Sequence, residues 1–186
     1  MSFLITLWLP IVVTTIVLFL ASFLFWAVSP HHKPDVRKWP DEDRLLAFIR
    51  ESGAEPGQYV FPLIQPEEMK QDAAQRRYRE GPWGQIVLWS SQPNMPMNMV
   101  KTVLLFLVVT VLVAYLGALA LPAGASFGDV FQVVGTAAIL AHTTGGMLNE
   151  IWFSKPLRAK ITNALDGIAY GVLTGVIFGW LWPGIG

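Results

Sequence analysis

Four long stretches without any Asp, Glu, Lys or Arg dominate this sequence. They cover residues 3–29, 102–128, 130–149 and 167–186. A helix needs about 20 mostly apolar residues to cross the hydrocarbon core of a bilayer, so we predict four transmembrane helices. Their approximate limits are 3–29, 100–121, 129–151 and 162–182. A chain with 53% hydrophobic and 14% charged residues is neither a disordered protein nor a nucleic-acid-binding protein.

The charged residues are segregated along the chain, and this predicts the orientation. Ten of the thirteen Lys and Arg residues lie in 30–101, and the other three are Lys155, Arg158 and Lys160. Four helices place these two segments on one side of the membrane. Because cytoplasmic loops collect Lys and Arg, we expect that side to be the cytoplasm and both termini to lie outside. The first stretch lacks a basic start and is too long for a signal peptide, so we expect a retained helix.

The domain organisation follows from this pattern. We predict a first transmembrane helix over 1–29, a cytoplasmic α+β insertion over 30–99, and transmembrane helices 2–4 over 100–186. Within the insertion we expect a helix from Asp41 to Gly53, strands near 59–63 and 85–89 that could pair, and a helix from Pro66 to Gly81. The fold class is therefore an integral membrane protein, mainly α, with four transmembrane helices and a small insertion.

A run of arginines ends the second helix of the insertion. Arg76, Arg77 and Arg79 fall in its last turn. Cations there complement the helix dipole, and the same residues could contact anionic lipid headgroups or a partner protein.

Glycines recur every four residues in the fourth predicted transmembrane helix, at Gly167, Gly171, Gly175 and Gly179. Such a face lets two membrane helices approach closely, as in a glycine zipper. The third helix offers small residues in the row of Ala141 and Gly145, with His142 in the adjacent row. We expect these two helices to form a tight antiparallel hairpin; the alternative is that the glycine face dimerises with a second copy of the chain.

Several polar residues lie within the last two predicted helices. They are His142, Asn149, Glu150, Asp166, Tyr170 and Thr174. Counting the helical rise from the predicted span limits places Glu150 level with Asp166 and His142 level with Thr174. In a structural interpretation, Glu150 and Asp166 pair with Lys155, Arg158 or Lys160, and His142 donates a hydrogen bond across the hairpin. In a functional interpretation, the set forms a proton or cation pathway.

Motifs for catalysis and metal binding are sparse. The chain has no Cys, no HExxH, no GxSxG and no GxGxxG sequence. His31 and His32 with Asp35 form the only cluster of metal-ligating type. Adjacent histidines rarely aim both rings at one ion unless the backbone is extended, and a metal needs three or more ligands. We therefore expect a solvated histidine pair, with no metal, no cofactor and no enzymatic activity.

Two stretches carry a resemblance to known sequences: Ser29 to Asp35 followed by Trp39-Pro40-Asp41-Glu42, and Gly167 to Tyr170 continuing to Phe178–Pro183. With Pro56–Tyr59 and Gly81–Gly84 between them, they resemble an uncharacterised family of small four-span bacterial inner-membrane proteins. The resemblance implies a bacterial inner-membrane location and similarity over the full length, and it carries no catalytic residue.

Three functional hypotheses follow from the sequence. The first is a small accessory, assembly or scaffold subunit that binds another membrane protein, for example of a respiratory or photosynthetic complex. The second is an oligomer that conducts protons or a small solute past His142, Glu150 and Asp166. The third, and the least favoured, is a membrane enzyme acting near His31, His32 and Glu150. The expected partners are the lipid bilayer and another membrane protein or a second copy, and no nucleic acid.

Overall fold

The computed structural model describes residues 2–184 and is mainly helical. The helices and strands are α1 (Ser2–Thr6), α2 (Trp8–Phe23), α3 (Glu42–Ser52), β1 (Gly57–Phe61), α4 (Asp72–Glu80), β2 (Gly84–Leu88), α5 (Met95–Ala120), α6 (Phe127–Trp152) and α7 (Leu157–Leu181). They fall into two compact units, residues 38–94 and residues 1–37 with 95–186. The insertion is therefore residues 38–94 and not 30–99 as predicted. The histidine pair, which we assigned to the insertion, belongs to the helical unit.

The long helices of the first unit contact each other in a ring. Helix α2 contacts α5 and α7, α5 contacts α6, and α6 contacts α7. The side chains of Leu18, Val134 and Phe178 are completely buried inside this ring. Many other apolar side chains of α2 and α5 point outward, and they include Ile16, Leu105 and Leu112, each more than half exposed.

Three helical segments are long and apolar enough to cross a membrane: Trp8–Val28, Met95–Ala120 and Leu157–Leu181. In the most apolar part of the first two, only 28% of the residues are buried. Large outward-facing apolar surfaces of this kind are characteristic of helices that contact lipid. The fourth expected span coincides with α6, a helix of 26 residues, but its glutamine, histidine and threonines make it too polar to join the other three.

The second unit contains the expected strand pair. Strands β1 and β2 are antiparallel, with Tyr59 opposite Ile86. Helix α3 begins at Asp41, whose carboxylate accepts a hydrogen bond from the Arg44 amide at 3.2 Å, and it ends at Gly53 with φ +66°. Only glycine adopts this left-handed conformation without cost, which explains the stop. The predicted bounds of α3 and of the two strands are therefore confirmed to within two residues, whereas α4 begins at Asp72, six residues after the predicted start at Pro66, and is preceded by a short 3₁₀ helix (Glu68–Lys70).

Two of the three arginines, Arg77 and Arg79, lie in the last turn of α4 as predicted, and Arg76 precedes that turn. Arg76 pairs with Glu80 at 4.0 Å, and Arg79 donates to the Gln75 side chain at 2.8 Å. These exposed i, i+4 contacts contribute little to stability. Binding of the arginines to a lipid or a partner stays a prediction.

The glycines of α7 pack directly on α6. A Cβ added at Gly171 would lie 2.6 Å from the backbone nitrogen of Ile139, and one at Gly167 would lie 2.8 Å from the carbonyl oxygen of His142. Real Cβ atoms do not approach backbone this closely, so these positions require glycine. The contact row on α6 therefore runs through Gly135, Ile139 and Thr143. The intramolecular hairpin, and not a second copy, occupies the glycine face.

The expected partner row on α6 was wrong. Ala141 and Asn149 are exposed, and a Cβ at Gly145 would meet nothing within 4 Å. The expected depth of His142 was wrong too, because its backbone lies against Gly167 and not Thr174. The error in depth has a simple cause: helix α7 begins at Leu157, five residues before the predicted span, so the turn is shorter and the register shifts. The row was wrong because the small residues of α6 were expected to face the glycines, whereas Ile139 and Thr143 contact them.

The helix contact predicts a position-dependent effect of a single methyl group. Gly171→Ala should destabilise the protein by about 1–3 kcal/mol, because overpacking forces the two backbones apart. Gly145→Ala, the matched control on the exposed face of α6, should leave the melting temperature unchanged or raise it slightly. Thermal unfolding of both variants in detergent, followed by circular dichroism, measures the difference. Equal melting temperatures would show that the two glycines are interchangeable and that the close contact is absent.

Candidate metal centre at one end of the helix bundle

Two short helical segments follow α2. A π-helical turn (Leu24–Val28) is followed by a 3₁₀ helix (Pro30–Asp35) that packs against α7. Ser29 begins the 3₁₀ helix, since its hydroxyl accepts a hydrogen bond from the His31 amide. Pro30 then occupies the first position, where its missing N–H costs nothing. This short helix carries two histidines toward the first half of α7.

Both histidines reach the same carboxylate. The Nε2 atom of His31 lies 3.0 Å from one oxygen of Asp166, and the Nε2 atom of His32 lies 2.8 Å from the other oxygen. His32 and Asp166 are buried, with 5% and 7% exposure. One ligand atom from each of the three side chains lies within 4.8 Å of the other two. The adjacent histidines therefore converge from a 3₁₀ helix, and our expectation that they need an extended backbone was wrong.

A second layer of contacts orients the imidazole rings. The Nδ1 atom of His32 lies 2.8 Å from the Asp35 carboxylate, and the Nδ1 atom of His31 lies 2.7 Å from the Ser29 hydroxyl. Arg158 on α7 binds the other Asp35 oxygen and donates to the His31 carbonyl oxygen at 2.8 Å. Each Nδ1 thus has its own partner, and each Nε2 is left to face Asp166.

The charges around Asp35 keep it ionised. Burial acts to raise the pKa of this carboxyl, but the hydrogen bond with His32 and the positive charge of Arg158 outweigh that effect. The net result is a pKa below the usual value. A lowered pKa favours the ionised form of Asp35, which can accept a hydrogen bond from the Nδ1 side of His32.

The two carboxylates around His32 indicate that a cation belongs between His32 and Asp166. The two ring nitrogens of His32 face two carboxylates, yet a neutral imidazole carries a single N–H. A cation on the Nε2 side resolves the conflict, either as a second proton or as a metal ion. Metal-binding histidines have this same arrangement, with one nitrogen on the ion and the other donating to a carboxylate.

A metal ion would require the ligands to move apart. Bonds of about 2.0–2.1 Å separate two ligands of a tetrahedral ion by about 3.3 Å, whereas the two Nε2 atoms lie 2.8 and 3.0 Å from different oxygens of Asp166. Two imidazoles and one carboxylate suit zinc or ferrous iron and leave coordination positions open. The indole of Trp26 stacks on His32, with ring centroids 3.7 Å apart, and restricts ring rotation.

A cavity of about 310 Å³ lies beside the cluster. Asp166, Tyr170, His142 and Glu150 all line it, so the structure brings together four of the polar residues identified in the sequence. Thr174 instead donates to a carbonyl of its own helix, and Asn149 is exposed.

The individual pairings differ from those expected. Glu150 binds Lys155 at 3.0 Å, as predicted. Asp166, however, is held by histidines and not by a lysine or arginine. The ring of His142 makes edge contacts with Phe106 and Tyr170, and no hydrogen bond to its side chain is found within residues 2–184. The expected cross-helix hydrogen bond is therefore wrong.

No family model, curated protein or solved structure matches this chain. The function of the site therefore has to be inferred from its own geometry.

The clamp formed by Arg158 should control how firmly the 3₁₀ helix is held. Arg158→Gln removes the ionic contact to Asp35, so we expect the amides of residues 31–36 to exchange hydrogen several-fold faster, as follows from the loss of roughly 1 kcal/mol. Hydrogen–deuterium exchange with mass spectrometry measures this. Lys33→Gln is the control, since Lys33 is an exposed cation of the same helix. Equal exchange in the two variants would contradict the clamp.

Proposed function

We propose that this chain is a membrane protein that binds a divalent transition-metal ion through His31, His32 and Asp166. The convergence of two histidine Nε2 atoms on one buried carboxylate carries the proposal. A buried carboxylate is costly unless a cation or several hydrogen bonds compensate it. A divalent ion would compensate Asp166 directly and leave Asp35, already paired with Arg158, to accept from His32.

The position of the cluster supports a binding site with access from water. The adjoining cavity reaches the surface beside Met147 and Lys155, which are exposed. An ion held by three protein ligands keeps at least one position for water or a small ligand. The chain therefore has what a metal site with an exchangeable ligand requires.

Metal binding should depend on the clustered histidines and not on the third one. The purified chain should bind about one Zn²⁺ per molecule in isothermal titration calorimetry, and His32→Gln should abolish that binding. His142→Gln is the matched control, because His142 lines the same cavity but lies outside the cluster. Asp35→Asn should keep the three ligands yet weaken binding about 10–100-fold, as for other residues that orient metal ligands.

These variants separate loss of binding from loss of folding. If His32→Gln does not fold, the ligand-preserving Asp35→Asn variant still tests the geometry. Zinc binding of equal strength in wild type, His32→Gln and Asp35→Asn would refute the site.

We also propose four transmembrane helices in a bacterial inner membrane, with residues 38–94 in the cytoplasm and both termini in the periplasm. Unlike the other three, helix α6 is not apolar enough on its own to indicate a membrane span. It is paired along its length with α7, and its 26 residues at 1.5 Å each are long enough to cross a bilayer. The distribution of Lys and Arg supports this orientation.

The absence of cysteine from the sequence allows a direct test of topology. A cysteine at Ala123, between α5 and α6, should react with a membrane-impermeant maleimide in intact spheroplasts. A cysteine at Ser91, in the second unit, should react only after the membrane is permeabilised. The reverse pattern would overturn the orientation, and reaction of both sites in intact spheroplasts would overturn the four-span arrangement.

The structure bears on the conducting-pathway hypothesis but not on the accessory-subunit hypothesis. The cavity does unite His142, Glu150 and Asp166, as a conducting pathway needs. Beyond it, however, the fully buried side chains of Val134 and Phe178 fill the bundle, which favours a closed binding site. An accessory or assembly role stays a prediction.

A further inference from the structure

We propose that the cavity beside the metal cluster binds the headgroup of an anionic lipid, with the lipid chain in an adjoining apolar cavity. This inference rests on the proposed metal site. Three observations carry it: the charge balance of the polar cavity, an unpaired lysine in its wall, and a larger apolar cavity that shares two side chains with it.

The first observation is the charge of the cavity wall. Its charged residues are Glu150, Asp166, Lys155 and Lys160, so their formal charges cancel. Behind the cluster, Arg158 neutralises Asp35. A divalent ion on Asp166 therefore gives the loaded cavity a net charge of about +2. Such a cavity attracts anions, and the open positions of the ion offer a direct ligand site for phosphate or carboxylate oxygens.

The second observation is an unpaired cation. Lys155 is engaged by Glu150 at 3.0 Å, and Asn163 also donates to Glu150. Lys160 lines the same cavity and is half-buried, but its ammonium group makes no ion pair within the described range 2–184. A partly desolvated ammonium without a partner is costly. An anion bound between the metal ion and Lys160 would form an ion pair with the Lys160 ammonium group.

The third observation identifies the anion as a lipid. A cavity of about 650 Å³ lies between α2 and α5, with an apolar wall that includes Phe19, Phe23, Met99 and Phe106. Trp26 and Tyr170 line both cavities, so the polar and apolar spaces are neighbours. A small free anion would use only the first space, whereas a lipid would fill both. The ring of Trp26, 58% exposed, would lie where headgroup and chain meet, a position that indoles favour.

The test uses the full-length protein loaded with Zn²⁺ in detergent and three matched probes in isothermal titration calorimetry. Dioctanoyl phosphatidic acid has the anionic headgroup and the chains, dioctanoylglycerol has the chains alone, and inorganic phosphate has the anion alone. We expect phosphatidic acid to bind at least about tenfold more tightly than either of the others. Chelator-treated protein should bind it about tenfold more weakly than loaded protein.

Two substitutions assign the two halves of the ligand. Lys160→Gln should weaken phosphatidic acid about tenfold and leave the Zn²⁺ affinity unchanged, whereas Lys33→Gln, which removes an exposed cation outside the cavity, should change neither. Ala27→Trp, which fills part of the apolar cavity, should weaken phosphatidic acid but not inorganic phosphate.

Each contrary result overturns a stated part of the inference. Equal affinity for phosphatidic acid and dioctanoylglycerol would remove the headgroup site. Equal affinity for phosphatidic acid and phosphate would make the ligand a free anion and not a lipid. Equal effects of Lys160→Gln and Lys33→Gln would leave only general attraction to a basic surface.

Failure here differs from failure of the metal site. Zn²⁺ binding is titrated without lipid, so a protein that binds zinc but does not discriminate among the probes refutes this inference alone. A protein that binds no zinc refutes the metal site, and lipid binding that persists there contradicts the metal dependence proposed.

Discussion

The carboxylate of Asp166 is the interaction on which this site depends. It lies on a helix apolar enough to cross a membrane, where an ionised group requires compensation. Its partners are two histidines 135 and 134 residues earlier in the chain. Their contact fixes the end of the first long helix against the last one. It also positions Asp35 and Arg158, and it forms one wall of the polar cavity.

Close packing of α6 on α7 decides which polar residues meet. The glycine face lets the two backbones touch, and the short turn between Trp152 and Leu157 sets their register. Because the turn is short, His142, Tyr170 and Asp166 surround one space. A packing constraint between small residues thereby determines the chemistry of a neighbouring site.

Local patterns in the sequence predicted most of the secondary structure. Examples are the cap at Asp41, the stop at Gly53 and the pairing of the two strands, each of which depends on residues near in sequence or on simple periodicity. The glycine spacing predicted the hairpin, but apolar span limits located the turn imprecisely, so the register was wrong. The predicted facing row on α6 was wrong because the actual row contains larger residues such as Ile139. The histidine cluster was missed because it depends on a contact between residues more than 130 positions apart. It was also missed because we expected adjacent histidines to converge only from an extended backbone, whereas here they converge from a 3₁₀ helix. The signal that could have found it was an aspartate near the cytoplasmic end of the last predicted helix, on the same side of the membrane as the histidine pair that follows the first one.

The most direct test of the account is the coordination of the bound ion itself. X-ray absorption spectroscopy of the Zn²⁺-loaded protein should show the scattering pattern of two imidazoles, with Zn–N distances of about 2.0–2.1 Å, and an oxygen shell at about 2.0–2.2 Å. His31→Gln should reduce the imidazole contribution to one ring. A spectrum with oxygen ligands alone, unchanged by that substitution, would contradict a metal centre built from His31, His32 and Asp166.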